Sequence, residues 1–141
     1  QIKNLKDLHN NKINEQVALF QKHAQKLLPI FQFIQSKGYR FHNPNKEIKY
    51  FSIRGPVLAY DRQEHKLFVY GVTENRIIEV DLSGEKSSLY SHYAFFEQFS
   101  FEDAINGLHA SLNVQLNLIN EFNKDINARD DYLRKYSINP Q

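Results

Sequence analysis

The densest grouping of chemically competent residues is Asp61 with Glu64, His65 and Lys66, where an Asp and a Glu-x-Lys could hold a divalent ion as in a nuclease site. The spacing argues against it. All four fall within one tight turn, whereas such a site draws its groups from neighbouring strands, so a solvated hairpin turn is the better reading. Glu79 and Asp81 alternate on one strand face like paired carboxylates, but acids on an outer sheet face are ordinary solubility chemistry. The histidines at 9, 23, 42, 65, 92 and 109 form no i, i+4 pair, and only His42 and His92 are expected to approach each other, near the sheet. The sequence has no Gly-rich phosphate loop, HExxH, G-x-S-x-G or calcium loop. It has no cysteine, which removes disulfides, thiolate ligands and thiol nucleophiles together. The expectation is a protein that is no enzyme, with no cofactor and no metal.

A second group of candidates is aromatic and basic. If Leu67, Val69, Ile78 and Val80 face the helices, alternation sends Phe68 and Tyr70 to the other face, with Ile77 and either Tyr50 or Tyr60 nearby. Flanked by Arg54, Arg62, Lys66 and Arg76, such a face would serve a protein partner or stack single-stranded bases. Glu64, Glu74 and Glu79 among these cations dilute any field that attracts phosphate. The competing reading is that a helix or second subunit covers this face. Tyr90, Tyr93, Phe95, Phe96, Phe99 and Phe101 form the densest aromatic cluster and are read as core, seating the second helix on the sheet.

The elements that must position these residues follow from periodicity. Ile13, Val17, Phe20, Ala24, Leu27, Phe31 and Ile34 alternate steps of four and three, a heptad seam. Pro29 is expected to kink or divide that helix and Gly38 to end it. Ile2, Leu5 and Leu8 slip out of register ahead of Asn10 and Asn11, so the first turns read as frayed or separate. From Phe101 a second seam runs through Ile105, Leu108, Leu112, Gln115, Ile119, Phe122, Ile126, Arg129, Leu133 and Tyr136. Ser100 and Asp103 mark its start in the manner of a capping box, and Gln115 is a candidate register-setting polar residue. Between the seams the period changes to two over 48–54, 57–60, 66–72 and 76–82, with a weaker strand at 88–92. The short turns between them force antiparallel neighbours.

The fold expected is α+β: a long N-terminal helix, a four- to five-stranded antiparallel β-meander and a long C-terminal helix, the helices paired antiparallel in coiled-coil-like fashion. All 141 residues read as one domain, with a helical arm at 1–37, a meander head at 38–99 and a second arm at 100–137. The charge of +2 is uneven, the segment before Ile48 being basic and that after Ser100 leaning acidic. Helices of roughly 45–55 Å overhang a sheet about 20 Å across, and their seams need cover. Ile13, Val17, Phe20, Gln115, Ile119, Phe122, Ile126 and Leu133 are therefore the candidate oligomerisation residues. The function expected is a non-catalytic protein–protein interaction or assembly module with a protein partner, a homodimer being favoured. An Asn-, Lys-, Gln- and Ile-rich composition points to AT-rich coding DNA and so to a phage- or plasmid-type protein that binds a host or structural partner. The alternatives are nucleic-acid binding through the basic first helix or the aromatic sheet face, and an enzyme with an unrecognised site. No apolar run is long enough to span a membrane, and the absence of cysteine points to the cytoplasm. A start without methionine leaves a cleaved leader, and hence secretion, open.

Overall fold

The computed structural model describes residues 2–84 and 86–138. Helix α1 spans Ile2–Ser36 without interruption, passing through Pro29 and including the first turns that the sequence reads as frayed. It ends in a Schellman motif. The Gly38 N–H donates to the Gln35 carbonyl and the Tyr39 N–H to the Ile34 carbonyl, with Gly38 at φ 74°, which glycine alone adopts without steric cost. Strands β1 (Val57–Asp61), β2 (Lys66–Gly71), β3 (Arg76–Asp81) and β4 (Ser87–Leu89) follow in spatial order β1-β2-β3-β4, all antiparallel. The short helix α2 (His92–Gln98) and the long helix α3 (Phe101–Lys135) complete the α+β fold. Both carry serine caps: Ser91 Oγ accepts from Ala94 N, and Ser100 Oγ from Asp103 N, as the capping pattern predicts. The sequence reading gives no helix at 92–98.

The hairpin turns use one device twice. Asp61 Oδ1 accepts the N–H groups of Gln63 and Glu64, and Asp81 Oδ1 those of Ser83 and Gly84. The strand expected at 48–54 is absent. That segment keeps one isolated antiparallel bridge, Phe41 to Ser52, and the Pro56 and Arg54 carbonyls accept from Tyr70 N on β2 and from Val72 N just past its end. Its physical obstacle lies at the outer edge of β1. The Val57 carbonyl there accepts from the Asn43 side-chain amide, which also donates to the Asp103 carbonyl at the start of α3. Gly107 brings α3 against the same carbonyl: an added Cβ would stand 2.3 Å from Val57 O. A helix therefore covers the edge on which a fifth strand would have paired.

The sheet is buried on both sides, with the faces opposite to expectation. Leu58, Ala59, Phe68, Tyr70, Val72 and Ile77 lie in the large core beneath the helices. Val57, Leu67, Val69 and Ile78 form a smaller cluster on the other side with Ile48, Tyr60, Val80 and Leu82. A bulge between Val57 and Ala59 lets Leu58 and Ala59 face the same core. Alternation fixes which residues share a face; side-chain bulk decides which face meets the helices, where the spacing is widest. Phe68 and Tyr70 fill that space, Phe68 against Phe95 and Phe99, and Tyr70 against Phe20 and Phe31. The aromatic cluster is indeed core: Phe95 and Phe96 are buried, with Tyr90, Tyr93, Phe99 and Phe101 packed on them.

The long helices run in the same sense, a correction to the antiparallel pairing. His23 on α1 meets His109 on α3 at 2.8 Å, and Lys37, just past the end of α1, has its ammonium 5.9 Å from the Phe122 ring. Both chains advance together between these contacts; antiparallel helices would carry the second pair roughly 40 Å apart. The reason is topological. A four-stranded meander and α2 intervene, leaving ample chain to return α3 to the starting end, where a short connection would have forced reversal. Replacing Gly107 with alanine should destabilise the fold by about 2–3 kcal/mol in denaturant titration, since the obstructing atom is backbone.

Candidate partner-binding surface

The heptad seams of the two helices meet different fates. In α1, Ile13 and Phe20 are buried and Val17 packs on the same core, Phe20 lying edge-on to Phe96 of α2 at 5.2 Å. Those three residues, expected to seek a second molecule, are covered by their own chain. In α3 the seam is internal as far as Leu108, Leu112 and Gln115 are partly covered, and Leu118 is the last buried residue. Beyond it Ile119, Phe122, Ile126 and Leu133 are 43%, 44%, 53% and 70% exposed. Parallel alignment explains this. Phe122 is level with the end of α1, so the thirteen residues from Asn123 to Lys135 project about 20 Å past it. Tyr132 and Tyr136 extend the same apolar surface, their rings stacked at 6.1 Å. The helix is sustained there by local ion pairs, Arg129 with Asp125 and Arg134 with Asp131. At the opposite end of the molecule Ile2, Leu5 and Leu8 of α1 are also exposed.

The sheet-face candidates do not form a platform. Phe68 and Tyr70 are core residues, and three of the four candidate cations are engaged. Arg54 pairs with Glu74, Lys66 with Glu79 and Glu64, and the Arg76 guanidinium donates to the Tyr90 carbonyl. Tyr50 and Tyr60 do meet, ring centroids 4.8 Å apart, and Tyr60 OH bonds His65 Nδ1. With Arg62 and Asn45, Tyr60 lines a shallow 630 Å³ depression in which titratable groups do not converge on one point. Asp61, Glu64 and Lys66 are likewise taken up by turn and ion-pair contacts, and Asp81 by its own turn. Among the described residues no three His, Asp or Glu side chains are arranged to hold a metal ion, and no helix is long and apolar enough to cross a membrane.

Two histidine features escape the sequence reading. His42 and His92 do not meet: His42 packs near Phe51, while His92 is drawn into the core beside Phe20 and Tyr70. There its Nε2 accepts the Ile77 N–H. β4 stops at Leu89, so the imidazole substitutes for a strand carbonyl on the next β3 residue; its only sequence signal is a place directly after the Ser91 cap. Burial, aided by the Arg76 charge, lowers its pKa to about 4. The pair that does meet, His23 and His109, lies on different helices, and a search for i, i+4 spacing cannot detect it.

Comparison with protein-family models, with curated proteins and with solved structures finds no match for this chain.

His92 supplies a test of the core geometry. Its folded pKa lies below the unfolded value of about 6.5, so the unfolded chain takes up the proton first. The His92 contribution should be intact above pH 6.5, fall as pH drops towards 4 and level off below. A loss of roughly 2 kcal/mol is expected after allowing for solvent screening. His92→Gln, which keeps an acceptor for Ile77 N–H, should remove this component when urea midpoints are compared across the window.

Proposed function

We propose that the protein is a non-catalytic assembly module whose partner is a second copy of itself, joined through the projecting arm of α3. The observation that carries this reading is the exposed seam from Ile119 to Tyr136, continuous with a buried seam in the same helix. Six large side chains between Ile119 and Tyr136, each about half to two-thirds exposed and worth roughly 200 Å² when fully bare, offer about 600–700 Å² per chain. That approaches the approximately 800 Å² per partner of a stable interface. Self-pairing is the economical geometry because one patch serves both chains and the assembly closes as a dimer.

An antiparallel arrangement centred between Ile126 and Arg129 layers Phe122 on Leu133 and Ile119 on Tyr136 of the partner. Arg129 then lies opposite Ile126, its guanidinium already held by Asp125 in its own helix. A charged residue in the seam weakens the pairing yet penalises shifted registers, the role the sequence reading gave to Gln115. The charged groups engaged across the sheet favour this reading over nucleic-acid binding.

Sedimentation equilibrium at about 100 μM, far above a micromolar Kd, should return twice the chain mass of 16.7 kDa. The double variant Phe122→Glu/Ile126→Glu should weaken association at least about a hundredfold while the core keeps its thermal transition, because two desolvated glutamates would face the partner seam. A wild-type chain that stays monomeric at this concentration sinks the reading.

A further inference from the structure

Away from the arm, α1 and α3 enclose a groove of 530 Å³ beside the His23–His109 contact. Its floor is aliphatic: Leu27 is buried, Ile30 and Leu112 are partly covered, and Leu19 closes one end. From Leu19 to Ile30 it follows α1 for about 16 Å. Its polar rim is of one sign. Lys22 and Lys26 stand along the exposed edge, neither has an ion-pair partner among the described residues, and none of the described lining residues is acidic. An apolar cleft of this size with a few convergent polar groups has the general form of a small-molecule site.

We propose that this groove binds a linear aliphatic carboxylate, its head group between Lys22 and Lys26 and its chain along Leu27, Ile30 and Leu112. The charge pattern selects this occupant. A neutral hydrocarbon would leave both lysines without a counter-charge, and a hydrophilic anion would leave the aliphatic floor wet. Beside the lysines the His109 pKa is lowered, first by burial and then by the neighbouring His23 and Lys26. The inference is independent of self-association, since the groove lies over residues 109–112 of α3 and the exposed seam begins at Ile119.

The test is calorimetric titration of the full chain with monomeric octanoate, decanoate and dodecanoate, and with decanol as the uncharged control. Affinity should rise by about an order of magnitude for each two added methylenes, and decanoate should bind at least about tenfold more tightly than decanol. Lys22→Gln/Lys26→Gln, at two exposed positions, should erase the preference for the acid while leaving the chain-length dependence. Methyl resonances of Leu27, Ile30 and Leu112 should move, and those of Ile119, Ile126 and Leu133 should not. Equal affinity for acid and alcohol, no dependence on chain length, or shifts confined to the arm would each overturn the proposal. So would binding to phosphatidylglycerol vesicles with none to monomeric acid, or a fall in molecular mass on adding ligand, which would make the groove the seat of a second chain.

Discussion

Tyr70 must bury a phenol between a sheet and a long helix, and the fold around it reads as the solution to that constraint. Its ring lies 5.7 Å from Phe20 and 6.2 Å from Phe31, both wholly buried on α1. Its single hydroxyl proton is shared between the carbonyl and side-chain oxygens of Asn75, and its oxygen accepts from the Gln25 amide. Gln25 also bonds Asn75 directly, and Asn75 holds the β2–β3 turn at φ 55°, a conformation asparagine tolerates better than most residues. One side chain thus ties the middle of α1, the β2–β3 hairpin and a central strand into a single unit. Burial of the phenol keeps its pKa raised, so the hydroxyl remains the donor this network requires.

Once α1 is fixed by Tyr70, the placement of α3 follows from its two ends. Its first turns are set by Asn43, which holds the Asp103 carbonyl, and by Gly107, which permits contact with β1. Those anchors start α3 near the level of residue 15 on α1 and aim it the same way. Two 35-residue helices in parallel stagger cannot cover each other's full length. At the leading end α2 covers Phe20, while at the trailing end the described chain has nothing comparable to lay against Phe122 and Ile126. The exposed seam is a consequence of stagger, with hydrophobicity continuing where the intramolecular neighbour stops.

Local signals in the sequence predicted local structure well. The Ser100 cap, the glycine stop after α1, three of the hairpin strands and both heptad seams are encoded by residues within a few positions of each other, and each formed near its expected place. What sequence could not supply was orientation in space. The face of the sheet beneath the helices depended on whether Phe68 and Tyr70 or Leu67 and Val69 better fill a gap whose width is a tertiary property. The direction of α3 depended on Asn43 and Gly107, neither of which stands out in a periodic pattern. Pro29, a strong local breaker, yielded to packing on both sides of it: Leu27 and Phe31 are both buried, outweighing the loss of one helical hydrogen bond.

The same limit explains why identical seam grammar led to different outcomes at the candidate surface. Ile13, Val17 and Phe20 and Ile119, Phe122 and Ile126 both follow alternating steps of three and four, and no count of apolar positions separates them. The difference arises from α2, a seven-residue helix whose formation rests on the Ser91 cap and on aromatic partners distant in sequence. A helix that short has little stability of its own and exists because Phe95 and Phe96 are buried against α1 and the sheet. Phe96 contacts both Phe20 and Phe101, so α2 covers the α1 seam and seats the first turn of α3 together. The element that removes one seam from solvent thereby sets the start of the helix whose other end projects, which makes the exposed arm a product of the core rather than an appendage to it.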